Sequence, residues 1–167
     1  SAPGDLEVGF NAYIDSAALS LALQSDGRLL VGGVFTQLGA PPGNPGSINR
    51  NSLARINPDA TFDTFDPLNP GSIPYAIHLL GNGQMILGGV LQGWSTDPSS
   101  QGIALLNADG TRVTSFGGNT NGVVMQIAAV PGGKFVIVGG FTSVQFGGAA
   151  SASTRNYMAR LNANGTL

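Results

Sequence analysis

The stretch DGRLLVGGVF, from Asp26 to Phe35, joins a turn signal, an apolar run and a pair of glycines. Two later stretches repeat this order: NGQMILGGVL from Asn82 to Leu91 and GGKFVIVGGF from Gly132 to Phe141. Asp-Gly and Asn-Gly favour the positive φ of two-residue hairpin turns, and the apolar run is typical of a buried strand. The chain is therefore an internal repeat with a hairpin at the centre of each unit.

In the first unit, an alternating segment precedes the hairpin and supplies its first strand. ALSLALQ, from Ala18 to Gln24, predicts a strand with Leu19, Leu21 and Leu23 on its half-buried face. We expect the partner strand to be covered on both faces, and Gly32-Gly33 to mark a bulge or a close backbone approach. Aligning the second glycine of each pair, at positions 33, 89 and 140, gives spacings of 56 and 51 residues.

The rest of each unit predicts a long loop and two further strands. Residues 37–51 contain Pro41, Pro42 and Pro45, which predicts a loop without regular structure. SLARIN, from Ser52 to Asn57, is the predicted third strand, and residues 62–65 the fourth. Four short strands joined by tight turns predict an all-β fold of the β-propeller type, because a stacked β-solenoid usually has shorter repeats. The expected single domain has three blades, about 11–65, 66–116 and 117–167, and is a partial propeller or half of a six-bladed ring.

The same residues carry a family resemblance. DGRLLVGGVF, its loop and LARINPDATFDTF (Leu53 to Phe65) together resemble the bacterial delta-60 repeat, a propeller-like repeat of large secreted or surface proteins. The resemblance covers essentially the whole chain and implies a structural or binding module, with no catalytic residues. The second unit departs from it, because Leu105 stands where the other units have Arg55 and Arg160.

The two ends of the chain carry matching strand patterns. GDLEVGF, from Gly4 to Phe10, places Leu6, Val8 and Phe10 on one face and resembles GTRVTSF, from Gly110 to Phe116. The third unit reaches Leu167 without such a strand, so we expect strand 4–10 of the same or another copy to complete it. Two copies would then form a six-bladed ring, and a geometry that does not close would form a filament. The alternative is that the chain is one piece of a longer array.

Composition narrows the classes of partner. The net charge is −2 with no basic run, which argues against nucleic acid, and no apolar stretch approaches the length of a membrane span. Cysteine is absent, so disulfides and thiolate metal sites are not expected. The start at Ser1-Ala2-Pro3 is expected to follow a removed signal peptide, which predicts an extracellular or cell-surface protein, or else to mark an excised fragment.

Catalytic and metal-binding patterns are weak. The only histidine, His78, lies in an apolar strand, and no nucleophile is paired with a base. Asp59, Asp63 and Asp66 are best explained as turn carboxylates, with a calcium site as the alternative, so no cofactor is expected. A carbohydrate-active propeller enzyme would require two carboxylates that face each other across a pocket.

The long loops join equivalent strands and should emerge on one face of the molecule. Residues on them form a candidate face for carbohydrate or protein: Arg50, Trp94, Asp97, Phe146 and Arg155. An exposed Trp94 can stack on a sugar or anchor a partner, although Trp94 and Phe146 can instead cap the core. The favoured interpretation is a non-catalytic structural or adhesive module that acts through self-assembly.

Overall fold

The computed structural model describes Phe10, residues 12–91, 102–116, 119–145 and 151–162, and Thr166. All regular secondary structure within these residues is β-strand. The described part of the chain contains no helix with the length and apolar character needed to cross a bilayer.

Each repeat forms one three-stranded antiparallel sheet, in which a third strand pairs with the second strand of the hairpin. The sheets are β1 (Ala18–Leu23), β2 (Leu29–Gly33) and β5 (Leu53–Ile56) in repeat 1; β6 (Ile73–Leu79), β7 (Met85–Val90) and β8 (Ile103–Leu106) in repeat 2; and β10 (Val124–Val130), β11 (Lys134–Gly139) and β14 (Met158–Leu161) in repeat 3. The first strand of repeat 2 contacts the first strands of both neighbouring repeats. The three sheets therefore follow one another as a layered array.

The predicted fourth strand is reduced to a single bridge in repeats 1 and 2. Ile56 bridges Phe62, and Leu106 bridges Arg112. One more backbone hydrogen bond extends the first of these pairings, from Asp63 N to Arg55 O at 3.3 Å. Regular pairing stops there because the Asp63 carboxylate accepts a hydrogen bond from Phe65 N, which turns the chain.

The prediction that residues 37–51 lack regular structure is wrong. Strands β3 (Gln37–Leu38) and β4 (Ile48–Asn49) pair within this segment, and the three prolines lie in the tip between them. Repeat 3 has a corresponding small sheet of β9 (Asn119–Thr120), β12 (Ser143–Gln145) and β13 (Ser153–Thr154). Proline excludes a ladder only where a backbone donor is needed, so the ends of such a loop remain free to pair.

The glycine pairs lie at bulges with close backbone contacts, as predicted, but the alignment of repeat 3 with the other repeats differs from the prediction. A Cβ at Gly33 would lie 2.1 Å from Ala17 O, and one at Gly89 would lie 2.1 Å from Ile73 O. In repeat 3 the residue with this contact is Gly139, at 2.0 Å from Val123 O. The prediction of position 140 as the counterpart is therefore wrong by one residue. At all three sites the register shifts as in a bulge, as expected for a close backbone approach.

The middle strand of repeat 1 is covered on both faces, as predicted, but the first strand is not. Leu30 and Val31 are 0% and 2% exposed. Leu19, Leu21 and Leu23 are 43%, 61% and 69% exposed, so the prediction of a half-buried leucine face is wrong. The reason is position: these leucines lie on the outer side of the first repeat, whereas their neighbour Ala22 packs toward repeat 2.

Candidate assembly interface

The contacts between repeats 1 and 2 show how neighbouring repeats pack. Leu30 and Leu53 from repeat 1 belong to one buried cluster with Met85, Leu87 and Ala104 from repeat 2. Residues of opposite parity on the same middle strand, such as Val31, pack on the other side of the sheet. Each sheet therefore has one face toward the preceding repeat and one toward the following repeat.

The contacts between repeats 2 and 3 use the equivalent positions. Ile86 and Ile103 pack in a cluster with Phe135 and Ile137 from repeat 3. Phe116 adds a ring contact to Phe135, with centroids 6.4 Å apart and planes inclined by 25°. The two internal interfaces thus define a common packing pattern for this array.

Repeat 3 leaves that pattern open on its following side. Met158 holds the place of Leu53 and Ile103, since the third strands pair in the same register. Leu53 and Ile103 are 0% and 3% exposed, whereas Met158 is 60% exposed. We call this surface the downstream face; it consists of Met125, Gln126, Val138, Tyr157 and Met158.

A groove of about 500 Å³ runs along the downstream face. It is lined mainly by apolar atoms from Met125, Gln126, Val138, Gly139, Gly140 and Tyr157. Tyr157 is 63% exposed and has a left-handed backbone with φ of 67°, which is uncommon for an aromatic residue. An exposed apolar groove of this kind is typical of a protein-binding surface.

On its preceding side, repeat 1 leaves the first strand uncovered, whereas Val31, Ala54 and Ile56 are buried in a cluster with Ala12 and Ile14. Leu21 and Leu23 correspond by register to Ile77 and Leu79, which are partly buried against repeat 1. We call this surface the upstream face; it consists of Leu21 and Leu23. Phe10, predicted to belong to an assembly strand, is 47% exposed. The other predicted members, Leu6, Val8 and Leu167, lie outside the described residues.

Arg55, the arginine of the repeat pattern, makes contacts in both repeat 1 and repeat 2. Arg55 Nε donates to Asp63 Oδ2 at 2.5 Å, and its guanidinium lies 4.6 Å from the centre of the Phe65 ring. Its Nη1 reaches Ala108 O in repeat 2 at 3.4 Å. Arg55 therefore links one repeat to the next. Its counterpart in repeat 3, Arg160, is exposed on the downstream side.

The same place in repeat 2 is apolar, which explains the departure seen in the sequence. Leu105 holds the position of Arg55, and Val113 holds that of Asp63, since Val113 N donates to Leu105 O as Asp63 N donates to Arg55 O. Both Leu105 and Val113 pack in the cluster between repeats 2 and 3. The ion pair of one repeat is thus replaced by an apolar pair in the next.

The described arginines of the predicted long-loop face donate hydrogen bonds to backbone of their own repeats. Arg50 Nη1 donates to Asn49 O at 2.8 Å, and its Nη2 donates to Asp63 O. Arg155 Nη1 donates to Thr154 O at 2.7 Å. Trp94, Asp97 and Phe146 lie outside the described residues.

Polar side chains that were not predicted from the sequence anchor these loops by hydrogen bonds. Asp15 accepts hydrogen bonds from Thr36 N and Thr36 Oγ1, both at 2.9 Å. Burial acts to raise the pKa of Asp15, but hydrogen bonds from Gln37 and Thr36 outweigh it, and the pKa is lowered from 3.8. In repeat 3, Asn121 Oδ1 accepts a hydrogen bond from Thr142 N, and Asn121 Nδ2 donates one to Thr142 Oγ1, both at 2.9 Å. A polar residue shortly before each of these first strands was the available signal.

The carboxylates considered as calcium ligands have protein partners. Asp63 is held by Arg55 and lies 3.6 Å from Arg28 Nη1, while Asp66 accepts from Asn51 N at 2.9 Å. Among the residues that the structure describes, no group of three or more His, Cys, Asp or Glu is placed to hold a metal ion.

Comparison with known families agrees with this layered arrangement. A family model described as "Domain of unknown function (DUF5122) beta-propeller" matches residues 24–65 and 131–167. The chain has a β-propeller-type fold. The match covers parts of repeats 1 and 3, the two repeats that carry the upstream and downstream faces. No curated protein matches the chain.

Proposed function

We propose that this propeller-type chain is a non-catalytic structural module that works by self-assembly. The downstream face of one copy packs against the upstream face of the next copy. The observation that carries this proposal is the contrast at equivalent positions, where Met158 is 60% exposed but Leu53 is 0% exposed. Burying such apolar surface contributes about 25 cal/mol per Å².

The two faces match each other because each corresponds to one side of the interface between neighbouring repeats, which the chain contains twice. The downstream face corresponds to the following side of repeats 1 and 2, and the upstream face to the preceding side of repeats 2 and 3. Contact between different surfaces gives a ring when the rotation closes and a filament when it does not. Two chains of three repeats would give six, within the usual range of closed propellers.

The proposal includes an exchanged strand. Residues 4–10 carry the pattern of a fourth segment, and Phe10 corresponds in that pattern to Phe116, which is 3% exposed between repeats 2 and 3. In the assembly, this segment of one copy completes repeat 3 of another. Deleting residues 1–10 should weaken the assembly; unchanged assembly and stability after the deletion would rule out the exchange.

We also propose a location outside the cell or on its surface, where the module has an adhesive role. Support comes from the resemblance to a repeat of secreted and surface proteins. Labelling of intact producing cells with a reagent that does not cross membranes tests this location. Labelling only after lysis would contradict it.

Sedimentation equilibrium of the purified chain tests the proposed assembly. We expect a concentration-dependent mass above that of one chain, either a closed dimer or a longer series. A single-chain mass at every concentration up to about 100 µM would contradict the proposal, because assembly of micromolar affinity would be evident there.

A further inference from the structure

We infer that the groove on the downstream face takes the first strand of a second copy, in the same register that joins neighbouring repeats within the chain. This inference rests on the proposed self-assembly and specifies its partner, direction and register. It is carried by two residues at opposite ends of the array, Ala18 and Val138, whose side chains compensate each other in size.

Inside the chain, a glycine makes room for the first strand of the following repeat. A Cβ at Gly32 would lie 2.8 Å from Pro74 Cγ, and a Cβ at Gly88 would lie 2.7 Å from Val124 Cγ1. Real Cβ atoms essentially never approach another atom so closely. At both internal interfaces, therefore, the earlier repeat contributes no side chain and the later repeat contributes a large one.

Repeat 3 departs from this arrangement at the groove. Val138 pairs with Gln126 just as Gly32 pairs with Ser20, so Val138 holds the glycine position. A following strand with proline or valine at the contact would collide with the Val138 side chain. The groove therefore requires a strand with a smaller residue at this point.

Repeat 1 carries that smaller residue. Ala18 pairs with Gly33 as Pro74 pairs with Gly89, so Ala18 holds the place of Pro74 and Val124. Ala18 is exposed and lies at the start of β1 on the opposite end of the array from Val138. A second copy docked in repeat register places Ala18 against Val138, and the added side chain of one compensates for the reduced side chain of the other.

Disulfide trapping between two different variants tests the register. The chain has no cysteine, so A18C and V138C each carry a single thiol. Under mild oxidation, the mixture of A18C and V138C should form a cross-linked dimer, with the joining peptide identified by mass spectrometry. A disulfide requires Cα atoms about 4.4–6.8 Å apart, so the cross-link reports direct packing. Neither variant alone should cross-link, because the inferred contact brings position 18 of one copy to position 138 of the next and does not bring two identical positions together.

The matched control replaces A18C with A152C, which moves the thiol to an exposed alanine in the long loop of repeat 3. Cross-linking of A152C with V138C at the same rate, or of A18C with itself, would overturn the inferred register. Absence of the mixed cross-link in a sample that sedimentation shows to be assembled would also overturn it, while the proposed function would stand. A sample that remains monomeric would contradict both.

Discussion

At the scale of single residues, two adjacent glycines of repeat 3 have different structural roles, although the sequence does not distinguish them. Gly139 lies against its own first strand with Val123 O at the place of a Cβ, whereas Gly140 has nothing within 4 Å of that place. The counterparts Gly33 and Gly89 show the same contact as Gly139. Only the first glycine of GGF therefore serves the bulge of repeat 3.

Gly139→Ala should destabilise the fold by about 1–3 kcal/mol, because the added methyl group meets backbone that cannot move independently. Gly140→Ala is the matched control and should change the free energy of unfolding by less than about 0.5 kcal/mol. Urea unfolding of the dilute protein measures both. Equal effects of the two substitutions would contradict the alignment of Gly139 with Gly33 and Gly89.

The pair Arg55 and Asp63 should be energetically coupled. Asp63→Val leaves the partly buried Arg55 without its carboxylate, and Arg55→Leu removes the partner of Asp63, so each should lower the free energy of unfolding by about 1–3 kcal/mol. The double variant reproduces the Leu105 and Val113 pair of repeat 2 and should recover about 1 kcal/mol or more. A double-mutant cycle measures this coupling. Strictly additive losses would show that the ion pair and the apolar pair are not alternatives.

At the scale of elements, the tight turns rest on side-chain hydrogen bonds that depend on ionisation. Asp59 accepts from Thr61 Oγ1 at 2.6 Å and from Thr61 N at 3.0 Å, and Asp109 bonds Thr111 in the same way. The hydroxyl and then the backbone donor lower the pKa of both carboxyls from 3.8. These turns connect the third strand of repeats 1 and 2 to the fourth segment.

The lowered pKa values set the sign of a pH effect. A carboxyl whose pKa is lower in the folded state contributes stability that is fully present above 3.8 and is lost as the pH falls through the folded value. The double variant Asp59→Asn and Asp109→Asn keeps an acceptor oxygen but does not titrate. Its free energy of unfolding should fall less steeply between about pH 4 and pH 2, by urea titration at each pH. A slope identical to that of the parent chain would contradict this role.

The strands and turns of each repeat could largely be predicted from the sequence, because hairpin signals and apolar runs are local. Gly27 and Gly83 have the positive φ that the turn signals require. The exposure of Leu21 could not be predicted, because alternation shows that a strand has two faces but not which face is covered. The ladder of β3 and β4 was missed because the prolines between them dominate the local composition.

The candidate interface was harder to predict than the fold. Leu53 and Met158 occupy the same repeat position, and only the presence of a following repeat decides that one is buried and the other exposed. The size relation between Ala18 and Val138 also depends on the strand register. The sequence alignment of the glycines was wrong by one residue, so it did not show that Val138 occupies the position of Gly32. Predicted site residues that lie outside the described part of the chain stay predictions.

At the scale of the whole molecule, the array has two unlike ends. The packing pattern between repeats is used twice inside the chain; it is left unfilled at the downstream face and along the first strand at the upstream face. Both faces are mainly apolar, whereas terminal repeats of stable monomeric arrays usually have a polar outer face. These two faces are the basis of the proposed association with further copies.

Charged substitutions on the two faces should separate assembly from folding. Leu21→Asp and Met158→Asp should each weaken self-association about tenfold or more, because a carboxylate would be buried at the contact. Folding of the dilute chain should be nearly unaffected, since these side chains are 61% and 60% exposed. Ala152→Asp, in the exposed loop of repeat 3, is the control. A loss of folding that accompanies the loss of association would mean that the faces are structural within one copy.

The most direct test of the central claim is the mass of the intact chain in solution across a concentration series. Sedimentation equilibrium should give a single-chain mass only in dilute samples and a rise to two chains, or to a longer series, at higher concentration. Two chains would indicate a closed ring of six repeats, and a longer series an open filament. A single-chain mass at all concentrations would contradict the claim that this propeller-type chain acts through self-assembly.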